Sequence, residues 1–232
     1  MTSSPDALLE LFLDVARVVR RAVDAIDIAE LRGRTDRVGQ YVLDVVADAE
    51  ACRVLQRADV RIVSEESGVH ERAGAAITVV VDPVDGSTNC SRGIPYWATS
   101  ICALDADGPL AGLVVNQATG VTVTAVREKG AFRDGVRLRA SSTTRLEDAM
   151  IYLTGTPPTK LPWKQFRALG SAALGLCEIA IGSLDGLLDA GGFHAPWDYL
   201  AGYLACVEAG AVVRDARGRP LATDDGDARR QL

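Results

Sequence analysis

A series of short apolar segments in the middle of the chain restricts the possible fold more than any other feature. Residues 61–64 and 76–81 are rich in β-branched side chains, which predicts two buried strands. Turn residues such as Asp107-Gly108 separate the strands that are predicted next, and these cover 97–105, 110–116, 121–127 and 131–139. Because the connections between them are short, we expect these strands to pair antiparallel.

Helical spacing of apolar residues replaces this pattern on both sides of the strands. Ser4 followed by Pro5 and Asp6 is typical of a helix start, and the apolar residues that follow predict a helix over 5–27. A polar loop over 31–39 precedes a second predicted helix over 40–56. In the last third of the chain, a strand, a helix, a short strand and a helix are predicted over 149–153, 171–182, 186–189 and 198–209. This order predicts an α/β protein (α+β layered) with sheets between helices.

The overall composition is that of a globular protein. Of the 232 residues, 48% are hydrophobic, so the chain needs no metal or disulfide merely to build a core. The net charge of −6 argues against nucleic acid and anionic membranes as partners. No apolar run reaches the ~18 residues that a membrane span needs, and no targeting signal is visible.

Cysteine usage predicts a cytoplasmic location. The chain has five cysteines, an odd number, and no pair has C-x-x-C spacing. This pattern favours reduced, structural thiols over a disulfide framework.

An acidic segment, Asp82–Asn89, directly follows one of the predicted strands. Asp82 and Asp85 stand three residues apart where the strand is expected to end in a tight turn, which Pro83 and Gly86 favour. Crowded carboxylates repel each other unless a cation neutralises them, and oxygen ligands favour Mg²⁺ or Ca²⁺. The alternative is ordinary turn chemistry, since Asp-Pro and Asp-Gly pairs are common in turns.

Two other segments place acids at the ends of predicted elements. Glu65 and Glu66 follow the first strand, and Asp198 stands where a loop enters the last helix. Taken alone, Glu65 would be interpreted as a surface residue, and Asp198 would be interpreted as a helix-capping residue. Together with Asp82 and Asp85, Glu65 and Asp198 suit a two-metal cluster.

Other phosphate and metal motifs are excluded. Counted from Asp82, an EF-hand loop would have Val84 at its third position and Gly93 at its twelfth, where acids or amides are needed. The haloacid dehalogenase phosphatases have an Asp-x-Asp-Gly-Thr motif whose first Asp is the nucleophile, and this chain has Pro83 at that position. The chain also has no P-loop, no dinucleotide fingerprint and no zinc-spaced set of His and Cys.

The segments Ser64–Ser67, Val80–Asn89 and Trp197–Ala211 resemble the three signatures of the inositol monophosphatase family, in order. The resemblance covers about residues 5–220 and implies a phosphatase with an αβαβα sandwich of the sugar-phosphatase type. It also implies one catalytic unit made of an N-terminal α+β lobe with the metal site, 1–145, and a C-terminal α/β lobe with substrate-side residues, 146–232. A homodimer is expected on the same ground.

The resemblance implies a set of functional residues. One Mg²⁺ is expected on Glu65, Asp82 and the Val84 carbonyl, a second on Asp82, Asp85 and Asp198, and a weaker third on Glu65. Ser87 would orient the attacking water, Asp44 would accept its proton through Ser87, and Glu66 would lie beside the first metal, so that no phosphoenzyme forms. The expected substrate-binding residues are Gly86, Ser87, Thr88, Ser171, Ala172 and Asp189.

Substrate choice follows less directly from the resemblance. Asn89 after Ser87-Thr88 resembles the inositol monophosphatase branch, which makes inositol-1-phosphate the leading substrate among small phosphorylated metabolites. The alternatives are a sister activity on fructose-1,6-bisphosphate or histidinol phosphate, or a weakly catalytic regulatory member of the family.

Four departures from the family pattern bear on the site and on the end of the chain. Tyr41 replaces the usual threonine, Arg34 or Arg37 would stand in for an absent loop lysine, and Cys90 replaces a common aromatic residue. The chain also stops before the family's closing strand and helix, so we expect an exposed sheet edge near its end.

Overall fold

A computed structural model describes residues 4–232, which form two sheets and five helices. The helices are α1 Pro5–Asp24, α2 Val42–Leu55, α3 Ser87–Ser91, α4 Ala172–Ile181 and α5 Pro196–Glu208. The strands are β1 Arg61–Ser64, β2 Gly68–His70, β3 Thr78–Asp85, β4 Ala98–Asp105, β5 Gly108–Asn116, β6 Thr122–Val126, β7 Gly130–Arg133, β8 Val136–Arg137, β9 Met150–Thr154, β10 Gln165–Arg167 and β11 Gly186–Asp189.

The large sheet has the strand order β2-β1-β3-β4-β5-β6-β7-β8. Pairing is antiparallel from β3 to β8, as predicted, whereas β1 runs parallel to β3. The predicted strand 131–139 is wrong in one respect, because it is broken into the β7–β8 hairpin. Asp134 and Gly135 both have positive φ angles (47° and 83°), which suits the tight turn of a two-residue hairpin.

The small sheet has the order β10-β9-β11 and is parallel throughout. The last residues of the chain lie beside β11, where the Asp189 N–H donates to the Leu232 carbonyl (2.8 Å) and His194 pairs with Arg230. The expected exposed edge is therefore covered at the Asp189 end of β11.

Two hydrophobic cores lie on opposite faces of the large sheet. Apolar side chains of α1 and α2 form the first core, which includes Phe12 and Leu43. Side chains of α4 and α5 form the second, where the ring of Tyr152 from the small sheet packs against Gly175. The layered α/β class is confirmed.

The outermost helical layer of the expected sandwich is not formed by residues 4–232. The layers run α1–α2, large sheet, α4–α5, small sheet, and the segment 155–164 after β9 contains no helix. Three prolines in that segment lack the N–H that a helix needs, which accounts for the loop. The division into lobes at residue 146 stays a prediction, and α5 of the second lobe packs on β5 of the first.

Two further properties follow from the described residues. All five cysteines are buried and unpaired, as predicted for structural thiols. No helix within residues 4–232 combines the length and apolar character that crossing a membrane requires.

Candidate active site

Three carboxylates from separate elements converge at one end of the large sheet. Glu65 directly follows β1, Asp82 lies in β3, and Asp198 is in the first turn of α5. One carboxylate oxygen of each lies within 4.8 Å of the others. Glu65 comes beside β3 because its N–H continues the parallel pairing and donates to the Val81 carbonyl (3.2 Å).

The segment expected to be a tight turn is a β-bulge. Strand β3 continues to Asp85, but its pairing with β4 shifts between Asp82 and Asp85. The Val84 N–H donates to Asp82 Oδ1 (2.9 Å), and the Val84 carbonyl accepts from Ser87 Oγ (3.0 Å). The bulge therefore brings Asp82 and Asp85 to the same end of the sheet and fixes one oxygen of Asp82.

Asp85 and Asp198 are each oriented by hydrogen bonds near a helix start. Asp85 Oδ2 accepts from the Ser171 hydroxyl (2.5 Å) and from the Ala173 N–H (2.8 Å) at the beginning of α4. Asp198 Oδ2 accepts from the Ala195 N–H (2.7 Å), so Asp198 is both part of the cluster and a helix-capping residue.

The acidic cluster has strongly perturbed electrostatics. Burial, followed by the charge of Glu65, raises the pKa of Asp82 well above its ordinary value. Burial and the charge of Asp198 raise the pKa of Glu65 to about 8 and that of Asp85 to about 6. These carboxylates stay charged together at neutral pH only if a cation lies between them, so the donor set fits a hard divalent cation such as Mg²⁺.

Asp44 on α2 lies next to the start of α3. Its Oδ2 accepts from the Tyr41 N–H (2.8 Å), while its buried Oδ1 has no hydrogen-bond partner among the described residues. Burial raises the pKa of Asp44 to about 6, although the hydrogen bond from the Tyr41 N–H and the proximity of the Ser87 hydroxyl lower it in part. A buried carboxylate oxygen beside a serine hydroxyl is suitable for accepting a proton.

The loop before α2 holds the Glu65–Glu66 segment. Arg37 donates to the Glu66 carbonyl (3.0 Å), and Gln40 donates to the Glu66 carboxylate. Arg34 instead stacks on the ring of Tyr41, 3.4 Å from its centre. Of the two possible substitutes for the absent lysine, Arg37 is thus the one that contacts the acidic segment.

A cleft of about 410 Å³ opens next to the acidic cluster. Ser171 and Ala172 line it, and their role in binding a substrate stays a prediction. Gly86, Ser87 and Thr88 begin α3, and Gly86 has a φ of 95° that only glycine adopts readily. A Cβ on Gly86 would also lie 3.1 Å from the Gly170 carbonyl oxygen, so this close approach requires glycine.

Asp189 lies behind the cleft rather than in its wall. It is 2% exposed, and its carboxylate accepts from the N–H groups of Gly191 (2.7 Å) and Gly192 (3.0 Å) and from the Thr154 hydroxyl (2.8 Å). Thr154 and His194 line the cleft in its place. Asp189 therefore supports the cleft from the end of β11, where its carboxylate holds the loop that follows.

The comparisons with known proteins agree with this architecture. The sequence profile described as the inositol monophosphatase family matches residues 13–230. The chain belongs to the inositol monophosphatase family. This membership confirms the predicted family and identifies the protein as a phosphatase of that kind.

Relatives within the family carry different names. The chain is 34% identical to the fructose-1,6-bisphosphatase/inositol-1-monophosphatase of Archaeoglobus fulgidus, over 97% of this chain and 90% of that protein. It is 35% identical to the Nus factor SuhB of Escherichia coli, over 68% of this chain and 63% of that one. A solved Pyrococcus horikoshii structure, described as a hypothetical protein with similarities to inositol-1 monophosphatase, matches with a TM-score of 0.88 at 26% identity, covering 98% and 92%.

Sequence reasoning missed His194 in this inositol monophosphatase family site. His194 Nδ1 lies 3.5 Å from Asp198 Oδ2, and Nε2 lies 3.3 Å from Thr154 Oγ1 and 3.8 Å from Asp189 Oδ2. Burial lowers the pKa of His194, but the hydrogen bond and charge of Asp198 outweigh it and raise the pKa overall. The signal that was available is the position of His194 four residues before Asp198, just ahead of the helix.

Proposed function

We propose that the protein catalyses the Mg²⁺-dependent hydrolysis of a small phosphate monoester, with inositol-1-phosphate as the leading substrate. The observation that carries this proposal is the convergence of Glu65, Asp82 and Asp198, with Asp198 also lining the adjacent cleft. Such a cluster is costly to bury without a cation, and divalent cations are what this phosphatase family uses. The proposal includes a homodimer, a cytoplasmic location and no nucleic-acid partner, all of which stay predictions.

The acids divide between two proposed ion positions. Glu65, Asp82 and the Val84 carbonyl would hold one Mg²⁺, and Asp82, Asp85 and Asp198 would hold the second. A weaker third ion would use Glu65. When bound, these ions would supply Lewis-acid activation of water and of the phosphate oxygens, together with stabilisation of the leaving oxygen.

Asp44 and Ser87 are the proposed route for the proton. The Ser87 hydroxyl would orient the attacking water. The proton of this water would pass through Ser87 to Asp44, whose Oδ1 has no other hydrogen-bond partner among the described residues. Glu66 is held through Arg37 and Gln40, so we assign it to shaping the loop that carries Glu65.

The cleft favours a hydroxylated monophosphate over a bisphosphate. Its polar lining includes Thr154, Ser171 and His194, which suit hydroxyl groups, next to Asp85 and Asp198. Within the described part of the chain, no lysine or arginine lines this cleft, so a second phosphate would meet neither of these cations there. This supports inositol-1-phosphate ahead of fructose-1,6-bisphosphate.

The experiment that tests the proposal is phosphate release from a panel of compounds with Mg²⁺ or with EDTA. The panel contains inositol-1-phosphate, fructose-1,6-bisphosphate, histidinol phosphate and 3′-phosphoadenosine 5′-phosphate. We expect Mg²⁺-dependent release that is fastest with inositol-1-phosphate. Faster release from fructose-1,6-bisphosphate would reject the argument from the cleft but keep the reaction.

A regulatory or binding role is the second candidate, and the similarity to relatives named Nus factor SuhB supports it. Tyr41 at the start of α2 also departs from the family pattern. Mg²⁺ binding by calorimetry without release from any compound in the panel would favour this role over the hydrolase.

A further inference from the structure

The β-bulge that carries Asp82 and Asp85 faces a single residue of the neighbouring strand. Asp82 pairs with Ser100 and Asp85 pairs with Ala98, so Pro83 and Val84 together face Thr99. A bulge of this kind disrupts the ladder of backbone hydrogen bonds and leaves main-chain groups in need of other partners. The Thr99 hydroxyl is such a partner, because it donates to the Pro83 carbonyl (2.8 Å).

The Pro83–Val84 peptide unit is therefore held at both ends. Its carbonyl accepts from Thr99, and its N–H donates to Asp82 Oδ1 (2.9 Å). The peptide is planar, so fixing the carbonyl also fixes the direction of the N–H. Thr99 thus controls, through one peptide group, the orientation of the Asp82 carboxylate.

Gln117 holds Thr99 in place from the other side. Gln117 Nε2 donates to Thr99 Oγ1 (2.8 Å) and to the Ala16 carbonyl of α1 (2.9 Å). Its backbone is anchored too, since the Gln117 N–H donates to the Trp97 carbonyl (3.0 Å) and its carbonyl accepts from Arg20. Thr99 and Gln117 are both buried, at 0% and 5% exposure, in a region that is otherwise part of the apolar core.

We propose that Thr99 and Gln117 are positioning residues for the metal site, which act on Asp82 through the Pro83–Val84 peptide. This inference rests on the proposed Mg²⁺ site. A buried polar network stabilises the protein when all its groups are hydrogen-bonded, and removal of one member destabilises the protein strongly. The pair therefore sets how closely the Asp82 carboxylate is held in the geometry that binds the cation.

The test is Mg²⁺ binding by calorimetry to the unaltered protein and to the variants Thr99→Val and Thr99→Ser. Valine has the shape of threonine but no hydroxyl, so the Pro83 carbonyl loses its partner. Because partners of metal ligands typically contribute 10–100-fold to affinity, we expect Thr99→Val to weaken Mg²⁺ binding by about tenfold or more. Thr99→Ser retains the hydroxyl and should restore affinity close to that of the unaltered protein.

A core variant remote from the site separates positioning from general destabilisation. Leu104→Ala opens a cavity in the opposite core, and Leu104 pairs with Thr78 at the other end of β4 from Thr99, so it lowers the melting temperature without touching the bulge. We expect it to keep full Mg²⁺ affinity. Gln117→Leu should have a smaller effect than Thr99→Val, because Thr99 can still donate to Pro83.

Failure of the positioning role can be distinguished from failure of the proposed function. Unchanged Mg²⁺ affinity in a folded Thr99→Val protein would overturn the positioning role alone. Equal weakening of Mg²⁺ binding in Thr99→Val and Leu104→Ala would also overturn it, since a loss of stability would then explain both. Absence of Mg²⁺ binding to the unaltered protein would instead reject the metal site itself, and with it the inference.

Discussion

At the scale of single residues, the acids of the site have structural partners as well as a chemical role. Asp198 caps α5 through the Ala195 N–H, and Asp85 joins the start of α4 through Ser171. A side chain with a hydrogen-bonded oxygen and a second oxygen directed to a cation keeps its geometry before the cation arrives. Removing the charge and removing the hydrogen bond are therefore separable changes.

Replacement of Asp198 by Asn separates them. Asparagine keeps an acceptor for the Ala195 N–H but loses the charge. Loss of a hydrogen-bond partner of a metal ligand typically costs about 10–100-fold, so we expect loss of the ligand charge itself to lower Mg²⁺-dependent hydrolysis by more than about 100-fold. The melting temperature should stay close to that of the unaltered protein. Steady-state turnover checks this prediction, with the exposed substitution Asp14→Asn as control, and undiminished turnover would reject the metal assignment.

Ser87→Ala tests the proton route. Because the serine hydroxyl is proposed to orient the attacking water, we expect kcat to fall by about a hundredfold or more, with little change in KM. Ser91→Ala on the same short helix is a suitable control, since Ser91 donates only to the Thr88 carbonyl. A change confined to KM would contradict the role of Ser87.

The sequence predicted the acids of the site more completely than the neutral residues around them. Glu65, Asp82 and Asp198 are recognisable because each stands within a distinctive motif. Thr99 and Thr154 carry no such signal, since a threonine within a strand is typical of any sheet. Their roles depend on the bulge and on the register of the strands, which only the folded chain defines.

At the scale of elements, the contact between α4 and α5 positions two parts of the site at once. α5 begins with Asp198, and α4 begins beside Ser171 and Ala172. Gly202 allows the two helices to approach, because a Cβ there would lie 2.6 Å from Leu176 Cβ and 3.2 Å from the Ala173 carbonyl oxygen. The close crossing depends on this one missing side chain.

Gly202→Ala should therefore destabilise the protein despite the higher helix propensity of alanine. Overpacking of this kind typically costs about 1–3 kcal/mol of unfolding free energy, and the shift of α5 should weaken Mg²⁺ binding as well. Urea denaturation measures the first effect. Val207→Ala, at a half-exposed position of α5, is expected to change stability by less than about 0.5 kcal/mol. An unfolding free energy of the Gly202→Ala protein equal to that of the unaltered protein would show that α4 and α5 can move apart without loss of stability.

The long elements and the four-residue strands β1 and β11 were predicted from the sequence, whereas α3, β2 and β10 were not. Helices α1, α2, α4 and α5 appear within about three residues of their predicted bounds. Helix α1 has a strong apolar face, and α1, α4 and α5 begin with residues typical of a helix start. Strands β2 and β10 have three residues each, which is too short for a periodic pattern. They exist because β1 and β9 offer edges to pair with, a property of the assembled sheet.

At the scale of the whole molecule, the buried acids connect stability to pH and to Mg²⁺. Glu65, Asp82 and Asp85 have raised pKa values in the folded chain, mainly through burial. In the unfolded chain these groups ionise near pH 4. Between about pH 4 and pH 8 the folded state thus binds more protons than the unfolded state, so without a cation the contribution of these groups to stability falls as the pH rises.

The resulting expectation concerns the melting temperature with and without Mg²⁺. In EDTA the protein should melt at a lower temperature at pH 8 than at pH 5, and Mg²⁺ should raise the melting temperature more at pH 8, where the acids are free of protons. Thermal unfolding in the four conditions checks this. The variant Asp82→Asn lacks the most buried of these charges and should show a flatter pH dependence. An equal Mg²⁺ effect at both pH values would contradict the linkage.

The three converging acids come from segments that lie far apart along the chain, with Asp198 on the last helix. A ribosome therefore releases Glu65, Asp82 and Asp85 long before α5 is available to pack over them. During that interval the nascent sheet carries crowded carboxylates without the residue that completes the set, while its apolar face is still open to other chains. At the proposed metal site, the complete set of acids therefore forms only after α5 has been synthesised and has packed on the sheet.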